Sequence, residues 1–257
     1  MRHTRSYFLP AGLAAIAFIA LALAVKNEAM LVSVDLAISD AVQAARSPAT
    51  DWVVVLVTLF GDAVALTLIA STIVIALLLR RAWWPAAMSA IAFISTLLIV
   101  KLIKLLIARD RPTADLYGGV ESFSFPSGHM TNSAVIYGAL AIFAAYALKG
   151  SVQKLAVAGF ILLIGLIGFS RVYLGAHWPT DVIGAVILAS IMLFLIAWGF
   201  DQVRNADRFA RPFTLAILVM FAVWAVYGFI TLEVALDLYA LDVTSEGTIE
   251  VEPVPQE

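Results

Sequence analysis

Seven stretches of this chain are apolar for long enough to cross a lipid bilayer, and that pattern decides what the rest can fold into. They run from Phe8 to Val25, Trp52 to Leu79, Trp83 to Ile107, His129 to Leu148, Leu155 to Phe169, Val182 to Phe200 and Phe213 to Leu232. Hydrocarbon about 30 Å thick calls for roughly 20 apolar residues in a helix, and without water each run must satisfy its own backbone N–H and C=O groups. With 63% hydrophobic and 13% charged residues, the chain also departs from soluble domains, which are roughly half apolar and about a quarter charged. The expected fold is all-α, a polytopic transmembrane helix bundle.

Lysines and arginines orient the bundle, because short cytoplasmic connections gather them. With the N-terminus inside, nine of the sixteen fall on the inner side: Arg2, Arg5, Arg80, Arg81, Lys149, Lys154, Arg204, Arg208 and Arg211. Lys26 and Arg46 then sit in an ordinary outer loop, while Lys101, Lys104, Arg109, Arg111 and Arg171 gather near outer helix ends. Five cations on the disfavoured side, at the edge of hydrocarbon, call for a bound anion. The first run follows Arg2 and Arg5 and ends in Ala22-Leu23-Ala24. It reads as a span, a cleaved signal peptide being the alternative, and both deliver residue 26 to the outer face. The expected location is the inner (cytoplasmic) membrane, with the unusual polar residues on the periplasmic side.

The absence of cysteine removes disulfide and thiolate chemistry. Residues 233–257 hold seven acids and no base, so they read as a solvated, disordered tail behind a single transmembrane domain of residues 1–232. No internal repeat or Gly-rich phosphate loop is present. Nothing points to a nucleic-acid partner, and no protein partner is legible.

Three polar clusters fall at one end of the expected bundle. In Lys104-Leu-Leu-Ile-Ala-Arg-Asp-Arg111-Pro112, seven helical steps return the arginine almost to the face of the lysine. Pro112 disfavours helix at Arg111, so the helix is expected to end nearby. Phe125-Pro126-Ser127-Gly128-His129 precedes the fourth span. Proline suits a first helical turn and glycine admits close approach, so free N–H groups would bind an anion there beside the Ser127 hydroxyl and a proton-donating His129. The third cluster is Ser170-Arg171, then His177-Trp-Pro-Thr-Asp181. A spacing of four stacks His177 and Asp181 on one face if the sixth helix begins near His177, which lets the carboxylate fix the imidazole tautomer. Arg171 is off that face, so convergence requires a break near Gly175. Taken singly, each cluster also fits a bland role: snorkelling cations, a turn, a structural interfacial histidine.

Together the clusters match KxxxxxxRP, PSGH and SRxxxxxHxxxD, and in this the chain resembles the type 2 phosphatidic acid phosphatase family, strongly over residues 52 to 200. The resemblance implies a six-helix phosphatase core, to which this chain adds a seventh helix and the acidic tail. It implies a phosphate cradle of Lys104, Arg111, Ser127, Gly128 and Arg171, with Pro112, Pro126 and Ser170 supporting. It also implies His177 as a nucleophile forming a phosphohistidine, Asp181 orienting it and His129 protonating the leaving oxygen, with no metal and no cofactor. Asp110, Asp115 and Glu121 lack the spacing of a two-metal site, and cations take over charge stabilisation. The expected substrate is a membrane lipid phosphate drawn from the bilayer. Undecaprenyl pyrophosphate ranks first, ahead of phosphatidylglycerol phosphate, phosphatidic acid and a lipid A phosphate. A phosphotransferase using the same pocket is the alternative enzyme. An anionic-lipid-binding transporter or structural bundle is the alternative of another class, and two histidines beside the cations argue against it. A haloperoxidase, expected to be soluble, fits less well.

Overall fold

A helix surrounded by others in a membrane needs small residues on several faces, because helix contacts in lipid come from close packing rather than from excluding water. The fourth apolar run meets that need. It forms α6 (Gly128–Ala147), rich in Gly, Ala, Ser and Thr, with 67% of its membrane-crossing window buried. The structure is a computed structural model that describes residues 7–27, 31–112, 122–203 and 209–239. Along α6 pack α7 (Gly150–Tyr173) and α8 (Pro179–Asp201), and, less extensively, α5 (Trp83–Ile107) and α4 (Ala63–Leu79). The first span, α1 (Phe8–Lys26), lies against α8 and α5, where Phe18 stacks on Phe125 with centroids 5.8 Å apart. The last, α9 (Ala210–Leu238), packs against α4 and α3 (Pro48–Leu59). Among the described residues seven helical segments are long and apolar enough to cross a membrane, α3 and α4 counting as one. The protein is a multi-pass membrane protein of all-α fold.

The structure departs from the sequence reading in four places. The second apolar run is two helices, broken at Phe60-Gly61-Asp62, where the Asp62 side chain caps α4 by accepting from the Val64 N–H at 2.9 Å. The segment between the first two spans, expected to be an ordinary loop, contains α2 (Val32–Gln43), which packs against α7 and α8. The seventh helix continues past Leu232 to Leu238, so the first residues assigned to the acidic tail are helical, and residues 240–257 lie outside the described part. The fifth span, too, is longer at both ends than its apolar run, because Gln153, Lys154, Ser170 and Arg171 are helical although polar.

At the end away from the three clusters, Asp201 accepts from the Tyr7 and Tyr146 hydroxyls beside a cluster of Phe143, Phe200, Phe209 and Phe213. This ties α1, α6, α8 and α9 together below the site. At the α6–α8 contact an added Cβ on Gly138 would come within 2.6 Å of the Leu193 side chain, which would have to move. Gly138→Val should therefore lower stability by about 1–3 kcal/mol through overpacking. Unfolding in detergent checks this, and an unchanged midpoint would refute the tight contact.

Candidate active site

The end of the bundle where α4, α6 and α8 begin and α5, α7 and α9 finish holds a cavity of about 370 Å³. Lys104, Arg111, Gly128, His129, Arg171 and His177 line it, together with Gly61, Ala63, Leu97, Val100, Lys101 and Asn132. Six residues singled out from the three clusters thus reach one space. Asp181, Ser127 and Ser170 are buried behind that lining. Pro112 and Pro126 are outside the lining as well.

Arg111 arrives by a route the spacing did not foresee. Helix α5 stops at Ile107, four residues before Arg111, with Ala108 left-handed at φ 51°. The chain then leaves the helix direction, so Lys104 and Arg111 meet because the backbone folds back rather than because they share a helical face. Arg111 Nη1 donates to the Ala176 carbonyl at 2.6 Å and to His177 Nε2 at 3.0 Å. A guanidinium has only donors, so Nε2 carries the lone pair and the ring proton lies on Nδ1.

That proton points to Asp181, whose Oδ2 is 3.3 Å from His177 Nδ1. The helix begins at Pro179, two residues later than the His177 start considered from sequence, so His177 stands in the preceding loop and Asp181 in the first turn. The same Oδ2 accepts from the Trp178 N–H at 2.9 Å, while Oδ1 accepts from Arg109 at 2.7 Å. A carboxylate in a first helical turn also gains from the positive end of the helix dipole. The break expected near Gly175 is present: Gly175 has φ +69°, which ends α7 and turns His177 back toward Arg171.

His129 is seated by the break in the second span. Its Nε2 lies 2.7 Å from the Thr58 carbonyl, which can only accept, so this nitrogen is protonated and Nδ1 is the free one in the neutral ring. A Cβ at Gly61 would overlap the imidazole, so a larger residue there would push the ring from its place on Thr58. The Thr58 hydroxyl accepts from Arg171 Nη1 at 2.8 Å, and the Tyr239 hydroxyl at the end of α9 accepts from the same nitrogen at 3.1 Å. Pro126 precedes the helix instead of occupying its first turn, and Ser127 is the cap of α6, its hydroxyl accepting from the Met130 N–H at 3.3 Å. The Gly128 and His129 amides, within the first helical turn, are at positions with no intrahelical carbonyl to bond.

Five contributors escaped sequence reasoning in whole or in part. Asp35 on α2 accepts from Arg109 Nη2 at 2.6 Å and from the Thr180 N–H and hydroxyl at 3.0 and 2.6 Å. Arg109 was visible only as one of five misplaced cations, and it proves to bridge Asp35 and Asp181. Thr58 and Gly61 had one signal: an apolar run too long for one crossing, interrupted by Thr, Gly and Asp. Tyr239 had none.

Burial, followed by the charges of Arg111, Arg171 and Lys104, holds the His177 imidazole well below its ordinary pKa of 6.5, a hydrogen bond accepted from the ring by the Ser124 backbone carbonyl offsetting part of this. The outcome is a neutral ring with Nε2 facing a cationic cavity. Such a site suits a multiply charged phosphate and offers it a nitrogen lone pair.

Comparison with known proteins gives consistent results. A family model described as the PAP2 superfamily matches residues 83–205. Phosphatidylglycerophosphatase B of Bacillus subtilis is 34% identical over 189 residues, covering 72% of this chain and 91% of that one. An undecaprenyl-diphosphatase of the same organism is 41% identical over 83 residues, 32% of this chain and 37% of its own. Among solved structures, the crystal structure of a transmembrane PAP2-type phosphatidylglycerolphosphate phosphatase from Bacillus subtilis has a TM-score of 0.67 and 31% identity, covering 76% of this chain and 98% of its own.

A lowered pKa means that the ring stays unprotonated as pH falls through 6.5. In the phosphate-free protein, the 15N resonances of His177 should keep the neutral pattern at pH 6, with the protonation midpoint below 6.5. A midpoint at or above 6.5 would contradict the electrostatics described.

Proposed function

The chain belongs to the PAP2 superfamily, and from that premise we propose that it is a membrane lipid phosphatase that works through a phosphohistidine on His177 without a metal ion. The observation that carries the reading is the join between two spaces. The cationic cavity shares Ala63, Leu97 and Asn132 with an apolar groove of about 380 Å³ lined by α4, α5 and α6. A lipid phosphate has that polarity: an anion on a short polar neck, then hydrocarbon.

Phosphate oxygens are stronger acceptors than a neutral ring nitrogen, so an arriving phosphate draws Arg111 away from His177 Nε2 and into a bidentate contact. Arg171, steadied at Nη1 by Thr58 and Tyr239, and Lys104 neutralise the remaining charge, while the Gly128 and His129 amides add donors. The Nε2 lone pair then attacks phosphorus as the bond to the lipid oxygen breaks. Positive charge developing on the ring is met by Asp181 through Nδ1–H. His129 already donates from Nε2 to a carbonyl, so it serves as the acid from Nδ1 after taking a second proton there, and the lipid oxygen receives that proton. The neutral His129 left behind takes a proton from water as water displaces His177 from phosphorus, giving inorganic phosphate. Ser127 supports this cradle by capping the helix that presents the amides.

Undecaprenyl pyrophosphate and phosphatidylglycerol phosphate are the leading substrates, in keeping with what the relatives are named for, and phosphatidic acid follows. Arg80, Arg81, Lys149, Lys154 and Arg211 lie at the opposite end from the site. That supports an inner-membrane topology with the site on the periplasmic side.

His177→Asn should abolish both phosphoenzyme labelling and release of free phosphate, a loss of at least about 10³-fold where a nucleophile is removed. Substantial turnover by that variant would overturn the covalent mechanism, and wild-type release without any added acceptor separates hydrolysis from phosphotransfer. Because cationic side chains supply the charge stabilisation, activity should persist in excess EDTA. Loss on chelation, restored by magnesium, would overturn the metal-free mechanism.

A further inference from the structure

Two polar residues of the cavity have no role in the mechanism above. Lys101 stands three residues before Lys104 on α5, and Asn132 three residues after His129 on α6. Because α5 runs toward the site end and α6 away from it, both lie about 4.5 Å deeper in the membrane than their partners. Asn132 lines the cavity and the apolar groove alike, so it marks the passage between the phosphate cradle and the hydrocarbon path, while Lys101 lines the cavity one turn beyond Leu97, which also borders both spaces. Lys101 is exposed, and it has no ion-pair partner among the described residues.

Their placement is costly without a ligand. A charged side chain and an amide inside an apolar span are unfavourable unless something polar meets them. Lys101 and Lys104 are also like charges one turn apart on a helix, which destabilises it further. Lys104 finds its anion in the cradle; Lys101 lies one turn too deep to share it fully. Whatever occupies the neck of the passage is the leaving group of the reaction, between the scissile bond and the acyl or prenyl chain.

Resting on the phosphatase reading, we propose that Lys101 and Asn132 form a second subsite that selects lipids whose leaving group carries its own phosphate. In a polyprenyl diphosphate that phosphate is joined to the scissile phosphorus through one oxygen, and it carries a negative charge before cleavage. Lys101 pairs with that standing charge while His129 protonates the departing oxygen. In phosphatidylglycerol phosphate the second anion lies beyond a glycerol, within reach of a lysine stem. Phosphatidic acid offers only neutral diacylglycerol at this position. Lys101 and Asn132 thus determine specificity and leave the bond-breaking to the cradle.

The test compares kcat/KM of the purified full-length protein in detergent on polyprenyl diphosphate, phosphatidylglycerol phosphate and phosphatidic acid. Removing a contact to a charged group should lower the ratio of second-phosphate lipid to phosphatidic acid at least about tenfold in Lys101→Met, and several-fold in Asn132→Leu. Lys101→Arg should restore most of that ratio, which a merely structural role would not require. A fall confined to the diphosphate, or to phosphatidylglycerol phosphate, identifies which second phosphate the subsite holds. An unaltered ratio in Lys101→Met, whether all three rates fall together or none does, overturns the subsite while leaving the phosphatase intact. Failure of the wild-type protein to release phosphate from any of the three would instead overturn the phosphatase reading itself.

Discussion

Everything at the site end is arranged around one carboxylate taken out of water. Asp181 is fully buried at the start of α8, where an unpaired charge would be prohibitive. Its oxygens are therefore shared among three donors from two regions of the chain: Arg109 beyond α5, and the neighbouring His177 ring and Trp178 amide just before α8. Its main-chain carbonyl also accepts from the Ser127 N–H at 3.3 Å, which draws the start of α6 to the same point. The three sequence clusters, more than seventy residues apart at their extremes, meet because they satisfy the same buried acid. Asp35 extends the arrangement to α2 by taking the second face of Arg109. This gives a short amphipathic helix outside the spans a role in holding the imidazole.

The solvent, the number of candidate crossings and six of the residues lining the cavity were legible in the sequence, because each depends on residue type at short spacing. Runs of apolar residues translate directly into helices when the bilayer is the solvent, and Lys104, His129, Arg171 and His177 were legible from the motif and its place at helix ends. Partners brought in from distant segments were not legible. Nothing local to Asp35 or Tyr239 distinguishes them from other polar residues, since their roles exist only once α2 lies on α8 and α9 ends beside Arg171. The face shared by Lys104 and Arg111 was argued from helical periodicity, and periodicity stops applying where Ala108 turns left-handed. Thr58 and Gly61 lay inside a run read as uninterrupted, although 28 residues is more than one crossing requires.

The seventh helix shows how an addition can be joined to an existing site. The family match ends at residue 205, before α9 begins. Yet the last turn of α9 delivers Tyr239 to Arg171 by hydrogen bond and by its ring face, 5.7 Å from the guanidinium, while its carbonyl accepts from Arg46. Arg46 in turn holds Asp51, which accepts from Tyr173. The extra span is thereby fastened at the same end as the chemistry, through α3.

The broken second span has a consequence for where products go. Because α4 starts only after the break, Ala63 at its first position borders both the cationic cavity and the oily groove, and the turns that follow, as far as Ile75, border the groove alone. A molecule cleaved at the join yields one fragment soluble in water and one soluble in hydrocarbon, each already facing its own phase. Their separation then follows from partitioning between the two phases.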